Sequence, residues 1–221
     1  MSDTPSQLAP AELLSQLRQL LPNRPVTYGQ ALALADRQAT RVRRSLDCQT
    51  AVFDLSWLFA LPGLTVELKP EYKMLDHTSG VTTKVGDELV IFLNANDYYL
   101  RQRFTLVHEL KHAMDYDAVD TLYRQLGSGD DSLHDKQIES ICNHFAASVL
   151  MPKVWVNRLW SRGIQDTLAL AYEFQVSAEA MRVRLERLGY IESAPRPNPQ
   201  FFRRTTVPTR QPQEATPCLV A

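Results

Sequence analysis

The segment that most constrains this chain is Phe104-Thr-Leu-Val-His108-Glu109-Leu-Lys-His112-Ala-Met114. Its two histidines stand four residues apart. A helix puts such a pair on one side, one turn above the other. Two imidazole nitrogens so placed reach one Zn2+ ion at about 2.0–2.1 Å. Glu109 follows the first histidine and lies beside such a metal, where it can take a proton from metal-bound water and pass it to a leaving amine. Phe104, Leu106, Val107, Leu110 and Met114 surround the pair, so the helix must be backed by core. Two satisfied core histidines on an amphipathic helix are the bland alternative. The match of the spacing to metal coordination favours the metal reading.

The rest of the chain can supply that core. It has 221 residues, 44% of them apolar and 22% charged, the profile of a globular domain of ordinary size. The formal net charge of -1 gives no global field toward nucleic acid or a membrane. Cys48, Cys142 and Cys218 are odd in number and widely spaced, with no CxxC. This argues against a disulfide framework and against a cysteine zinc site, and points to a reducing compartment. Met1 to Pro5 opens no signal peptide, and no apolar run reaches the roughly 18 residues of a membrane span. The expected location is the cytoplasm, with no membrane partner.

Along the chain, residues 1 to 10 read as a frayed tail and Ala11 to Leu21 as a short helix ended by Pro22 and Pro25. Thr27 and Gln30 have capping-box spacing and open a second helix. Its apolar positions Ala31, Leu34, Ala35 and Val42 share a face. Ala51 to Leu61 reads as a third helix, closed by Pro62-Gly63. Leu64 to Leu68, Ser79 to Val85 and Glu88 to Leu93 read as strands, with Gly86-Asp87 turning between the last two. They suggest a small, three-stranded, largely antiparallel sheet. Asp97 is expected to cap the motif helix through Tyr116, and Asp117 to Asp135 to be a loop. A helix follows from Asp135 to Leu150, stopped by Pro152, with shorter ones near Asp166 to Phe174 and Ser177 to Leu188. Residues 193 to 221 carry six prolines and few core-formers and are expected to be disordered.

A catalytic zinc takes three protein ligands and keeps one open position. Downstream candidates for the third are Asp115, Asp117, Asp130, Asp131, His134, Asp135, Glu139 and His144. Geometry favours a residue on a second helix packed against the first. Glu139 sits early in the Asp135–Leu150 helix, where a surface glutamate near a helix N-terminus is the ordinary alternative. The residues alone leave Glu139 and His144 as rivals. Tyr116, Tyr123 and His144 are candidates for stabilising the oxyanion of a tetrahedral intermediate, although both tyrosines suit ordinary packing too.

Two blocks carry a resemblance. Arg103 to His112 resembles the active-site helix of the ImmA/IrrE family of metallopeptidases. Glu139-Ser-Ile-Cys-Asn143-His-Phe145-Ala146-Ala147-Ser-Val-Leu150-Met151-Pro152 is similar to that family's ExxxNxFAxxLxMP helix. Ile91 to Asn94 and the stretch from Leu168 to Gly189 also fit, so the likeness spans roughly residues 27 to 191. It implies an α+β, zincin-like fold, mostly helical with a small sheet, whose third ligand is the glutamate matched here by Glu139. It also implies a cytoplasmic enzyme, often carried by phages or mobile elements, that relieves repression by cleaving a helix-turn-helix repressor. Two departures stand out. Lys111 occupies a position where many members have glycine, and is expected to sit at the cleft rim. Ile141 replaces a second glutamate.

The expected organisation is a tail and short helix at 1–26, a metallopeptidase domain at 27–163, a C-terminal helix-turn-helix-like hairpin at 164–192 and a Pro-rich tail at 193–221. Arg182, Arg184 and Arg187 in the hairpin could meet phosphate. Glu173, Glu179 and Glu186 interrupt that basic face, so a hairpin closing the core is favoured over nucleic-acid binding through Ser177–Leu188. Arg41, Arg43 and Arg44 read as a solvated helix end. The alternative to a zinc endopeptidase is a non-proteolytic, zinc-containing regulator that binds DNA or a partner protein through its C-terminal helices.

Overall fold

A computed structural model describes residues 10–70 and 78–192. The expected tail at 193–221, and all but the last residue of the one at 1–10, lie outside these residues. The helices α1 (Pro10–Gln19) and α2 (Tyr28–Ser45) come first. The Thr27 hydroxyl accepts from the Gln30 amide, while the Gln30 side chain accepts from the Thr27 amide at 3.1 Å. That reciprocal cap satisfies two donors a bare helix start would leave unpaired. The buried face carries Ala31, Leu34, Ala35, Ala39 and Val42, and the buried Gln38 amide donates to Leu17 O, tying α2 to α1.

Three expectations in this half are corrected. Residues 51–61 form no full helix: only a 3-10 turn, Ser56–Ala60, is present. The Asp54 carboxylate takes both the Ser56 amide (2.9 Å) and its hydroxyl (2.6 Å), a local bond that competes with helix propagation. Arg43 is buried rather than solvated, and its guanidinium donates to Val149 O and Thr50 O. The sheet is mixed: β1 (Leu64–Lys69), β2 (Gly80–Val85) and β3 (Glu88–Asn94) lie in the order β1-β3-β2. The β2–β3 hairpin is antiparallel, as the Gly86-Asp87 turn foretold, with Gly86 at φ 63°. β1 pairs with β3 in parallel, Leu64 opposite Leu89. Among the described residues β2 therefore pairs with β3 alone.

The motif helix α3 spans Tyr99–Asp115. Its N-cap is Tyr98, not Asp97, whose carboxylate instead pairs with Arg101 at 3.3 Å. The expected loop at 117–135 contains the one-turn helix α4 (Val119–Leu122) and a 3-10 turn at Leu126–Gly129. α5 starts at Asp131, earlier than expected, because the Asp130 carboxylate caps the Leu133 amide at 3.0 Å, and it runs to Leu150. An unforeseen helix, α6 (Lys153–Ser161), follows at once. Pro152 ends one helix and begins the next, because its fixed φ suits a helix start as well as it forbids a helix interior. α7 (Thr167–Phe174) and α8 (Ala178–Leu188) are capped by Asp166 and Ser177.

The core is continuous. Leu34 of α2, Ile91 of β3, Leu110 of α3, Phe145 and Leu150 of α5, Phe174 of α7 and Leu185 of α8 belong to one buried cluster. α5 packs against both α2 and α3, and that contact places the functional residues. No helix among the described residues is long and apolar enough to cross a membrane.

Candidate metal centre

The four-residue spacing on α3 brings His108 Nε2 and His112 Nε2 to 3.2 Å from each other. α5 presents Glu139 across them: one carboxylate oxygen lies 3.2 Å from His108 Nε2, the other 3.3 Å from His112 Nε2. Donor atoms bound tetrahedrally to one zinc at about 2.0–2.1 Å stand roughly 3.3 Å apart. The three side chains thus already have the mutual spacing of a zinc ligand set, and this is the test of fit for the metal. Charge agrees. The Glu139 carboxyl is held well below the usual carboxylate range by hydrogen bonds from His108 and His112, against the effect of burial. Burial pulls His112 down, but its contacts with Cys142 and Glu139 outweigh this and push it up to about 11. The cluster draws positive charge to its centre, where a metal ion would provide it.

Asn143, one turn beyond Glu139, fixes the first ligand. Its side-chain oxygen lies 3.0 Å from His108 Nδ1. With Nδ1–H donating there, the Nε2 lone pair points to the metal position. Glu109 is buried beside the ligands, and the Thr82 hydroxyl lies 2.8 Å from its Oε2 and 3.0 Å from its backbone carbonyl. β2 presses this close because residue 80 is glycine: a Cβ there would sit 2.5 Å from Thr105 Cγ2 and 3.0 Å from Glu109 Cγ. Two clefts, of about 610 and 700 Å3, meet at the site. Both are lined by Thr78, Gly80, His108, Glu109 and Glu139.

The structure brings His108, His112, Glu139 and Glu109 together; of the other candidates, Asp115, Tyr116 and Tyr123 line the second cleft. His144 turns to the opposite side of α5, where its Nε2 meets Asp36 Oδ1 at 2.9 Å. The structure does not bring it to the Glu139–Asn143 face, because residue 144 lies too far around the helix. Tyr123 is buried and donates its hydroxyl to Asp115 Oδ2, so that proton is already committed. His134 meets Tyr123 O, and Asp130 caps α5.

Lys111 is a further correction. It is fully buried, not at a cleft rim, with Nζ 2.6 and 2.7 Å from the two Asp115 oxygens. Cys142 is another. Its sulfur and the ring nitrogens of His108 and His112 all lie within 4.8 Å of one another. The odd count and wide spacing of the cysteines argued against a cysteine zinc site, because that pattern speaks only of cysteines paired with one another. The usable signal was the helical period, since Glu139, Cys142 and Asn143 share one face of α5.

A helix carrying two histidines and a glutamate is here crossed by a second carrying another carboxylate, in a mostly helical α+β fold. Residues 64–186 match the Peptidase_M78 family, described as the IrrE N-terminal-like domain, and the chain belongs to this ImmA/IrrE family. Among solved structures it is similar to a Mycobacterium tuberculosis transcriptional regulator, with a TM-score of 0.54 at 14% sequence identity. That likeness covers 79% of this chain and 51% of the other, so this chain spans about half its length. At that identity the likeness concerns the fold. No curated protein matches the sequence.

Proposed function

We propose that this chain is a zinc-dependent endopeptidase, with His108, His112 and Glu139 as ligands and Glu109 as general base and acid. The observation that carries the reading is the convergence of the two Nε2 atoms, 3.2 Å apart, on the Glu139 carboxylate, one oxygen 3.2 Å from His108 and the other 3.3 Å from His112. Zinc, when bound, supplies an acidified water and polarises a carbonyl. Asn143 orients His108. The Thr82 hydroxyl steadies one oxygen of Glu109, leaving the other to receive a proton and return it to the leaving amine. β2, which among the described residues pairs only with β3 and borders both clefts, suits an extended peptide adding as a further strand.

The proposed substrate is a helix-turn-helix repressor in the cytoplasm. Family membership supports it. Of the three α8 arginines that could serve DNA binding in the non-proteolytic alternative, two are engaged within the protein and Arg187 is exposed. Arg184 is buried and donates to Met151 O, and Arg182 is paired with Glu179 and Glu186. Neither is free for phosphate.

The test is co-expression with candidate helix-turn-helix repressors, beginning with any that a neighbouring gene encodes. A repressor fragment should form with the wild-type chain and not with Glu109→Gln. A fragment of equal yield from the Glu109→Gln chain would overturn the mechanism.

A further inference from the structure

We propose that Cys142 is a fourth donor at the metal centre, able to close the position a catalytic metal keeps open and so hold the site in a latent state. The inference rests on the zinc reading above. Three observations carry it.

Cys142 lies on the face of α5 that meets α3, between Glu139, which reaches both histidines, and Asn143, which holds His108. Its sulfur lies within 4.8 Å of the ring nitrogens of both proposed ligands. It is buried, 1% exposed, yet lines the second cleft beside His112. It is therefore aimed at the metal position from inside the protein, while Glu139 approaches from the half-exposed side.

Zinc accepts a thiolate as readily as an imidazole. With a zinc–sulfur bond of about 2.3 Å, a tetrahedral site sets nitrogen and sulfur roughly 3.5 Å apart. Closing from 4.8 Å needs at most about 1.3 Å of approach, within reach of a side-chain adjustment. Four protein donors make the closed arrangement of structural zinc sites, and three make the open one of catalytic sites. This chain carries the parts of both. On closure the Cys142 S–H bond breaks, sulfur keeps the electron pair and bonds the metal, the proton passes to solvent and the water in the fourth place departs. No electron is transferred, and reopening reverses each change. A thiolate in the set also favours zinc over harder ions such as manganese.

The experiment loads the metal-free, full-length chain with Co2+ and records its absorption spectrum. Cobalt held by the three proposed ligands gives visible ligand-field bands, and a cobalt–thiolate bond adds a near-ultraviolet charge-transfer band. The wild-type chain should show both. Cys142→Ala and Cys142→Ser should keep the visible bands and lose the charge-transfer band, with zinc affinity falling at least about tenfold in competition with a chelator. The wild-type spectrum decides the matter even if a variant folds poorly. Cobalt bound without the charge-transfer band overturns the thiol proposal and leaves the three-ligand site standing. Failure of the chain to bind cobalt at all overturns the metal reading, and this inference with it.

Discussion

Helix α3 carries two polar clusters on neighbouring faces, and they are built on opposite plans. On one, Lys111 and Asp115 are buried with the Tyr123 hydroxyl, 0% and 2% exposed for the charged pair, with Asp115 and Tyr123 at the wall of the second cleft. That cluster contains its own cation: Nζ lies between two carboxylate oxygens at 2.6 and 2.7 Å. On the other face, His108, His112 and Glu139 converge at 3.2 to 3.3 Å, and their nitrogens and oxygens can each give an electron pair to a metal ion that displaces the protons they share. The first cluster is complete without a ligand. The second is completed by a cation from outside, and it lies where two clefts give access. Burial of charged residues does not distinguish structure from function here. The balance of donors and acceptors does.

The largest expected effect breaks the chemistry of the open cluster alone. Glu109→Gln should lower repressor cleavage about 10²- to 10⁴-fold, with zinc content and thermal stability unchanged. Next comes a break in the buried cluster. Lys111→Met leaves Asp115 buried without its cation and should cost about 3–5 kcal/mol in urea unfolding. The double variant Lys111→Met/Asp115→Leu should recover most of that loss, because it removes the stranded charge. A full loss in the double variant would mean that the pair does more than satisfy itself.

A finer cut separates ligand from ligand holder. Asn143→Ala should weaken zinc binding about 10- to 100-fold in chelator competition, while Asn143→Asp, which keeps an acceptor for His108 Nδ1, should retain most of it. The smallest effect lies on the far side of α5, at Asp36. Burial pushes its carboxyl up, but hydrogen bonds from His144 and Ser148 outweigh that and hold it below the ordinary 3.8. A carboxyl lowered on folding adds stability above its unfolded value and loses it as pH falls through the folded one. Since Asp36 is half exposed, Asp36→Asn should cost under about 1 kcal/mol at pH 7. The difference between variant and wild type should shrink as pH drops below 3.8.

The open cluster was more legible in the sequence than the buried one. Helical period alone placed His108 beside His112, and caps such as Thr27-Gln30 and Ser177 are local bonds that a sequence displays directly. Glu139 was one of several candidates by position, and only the likeness of its block to a family singled it out. Lys111 was misplaced because a lysine reads as surface unless its partners are known. Asp115, one turn on, was visible, but the Tyr123 hydroxyl and the packing that buries the pair are tertiary. Cys142 was passed over for the same reason, since its histidine neighbours come from another helix. The parallel β1–β3 pairing was hidden because alternation reveals a strand's faces, not its partner or direction.

The most direct test of the account is metal stoichiometry. Zinc content should be about one ion per folded chain for the wild type and for Glu109→Gln, and should be lost in His108→Ala and strongly reduced in Glu139→Ala. A folded wild-type chain that takes up no stoichiometric zinc, or a Glu139→Ala chain that binds it undiminished, would contradict the claim that α3 and α5 together build a metal centre.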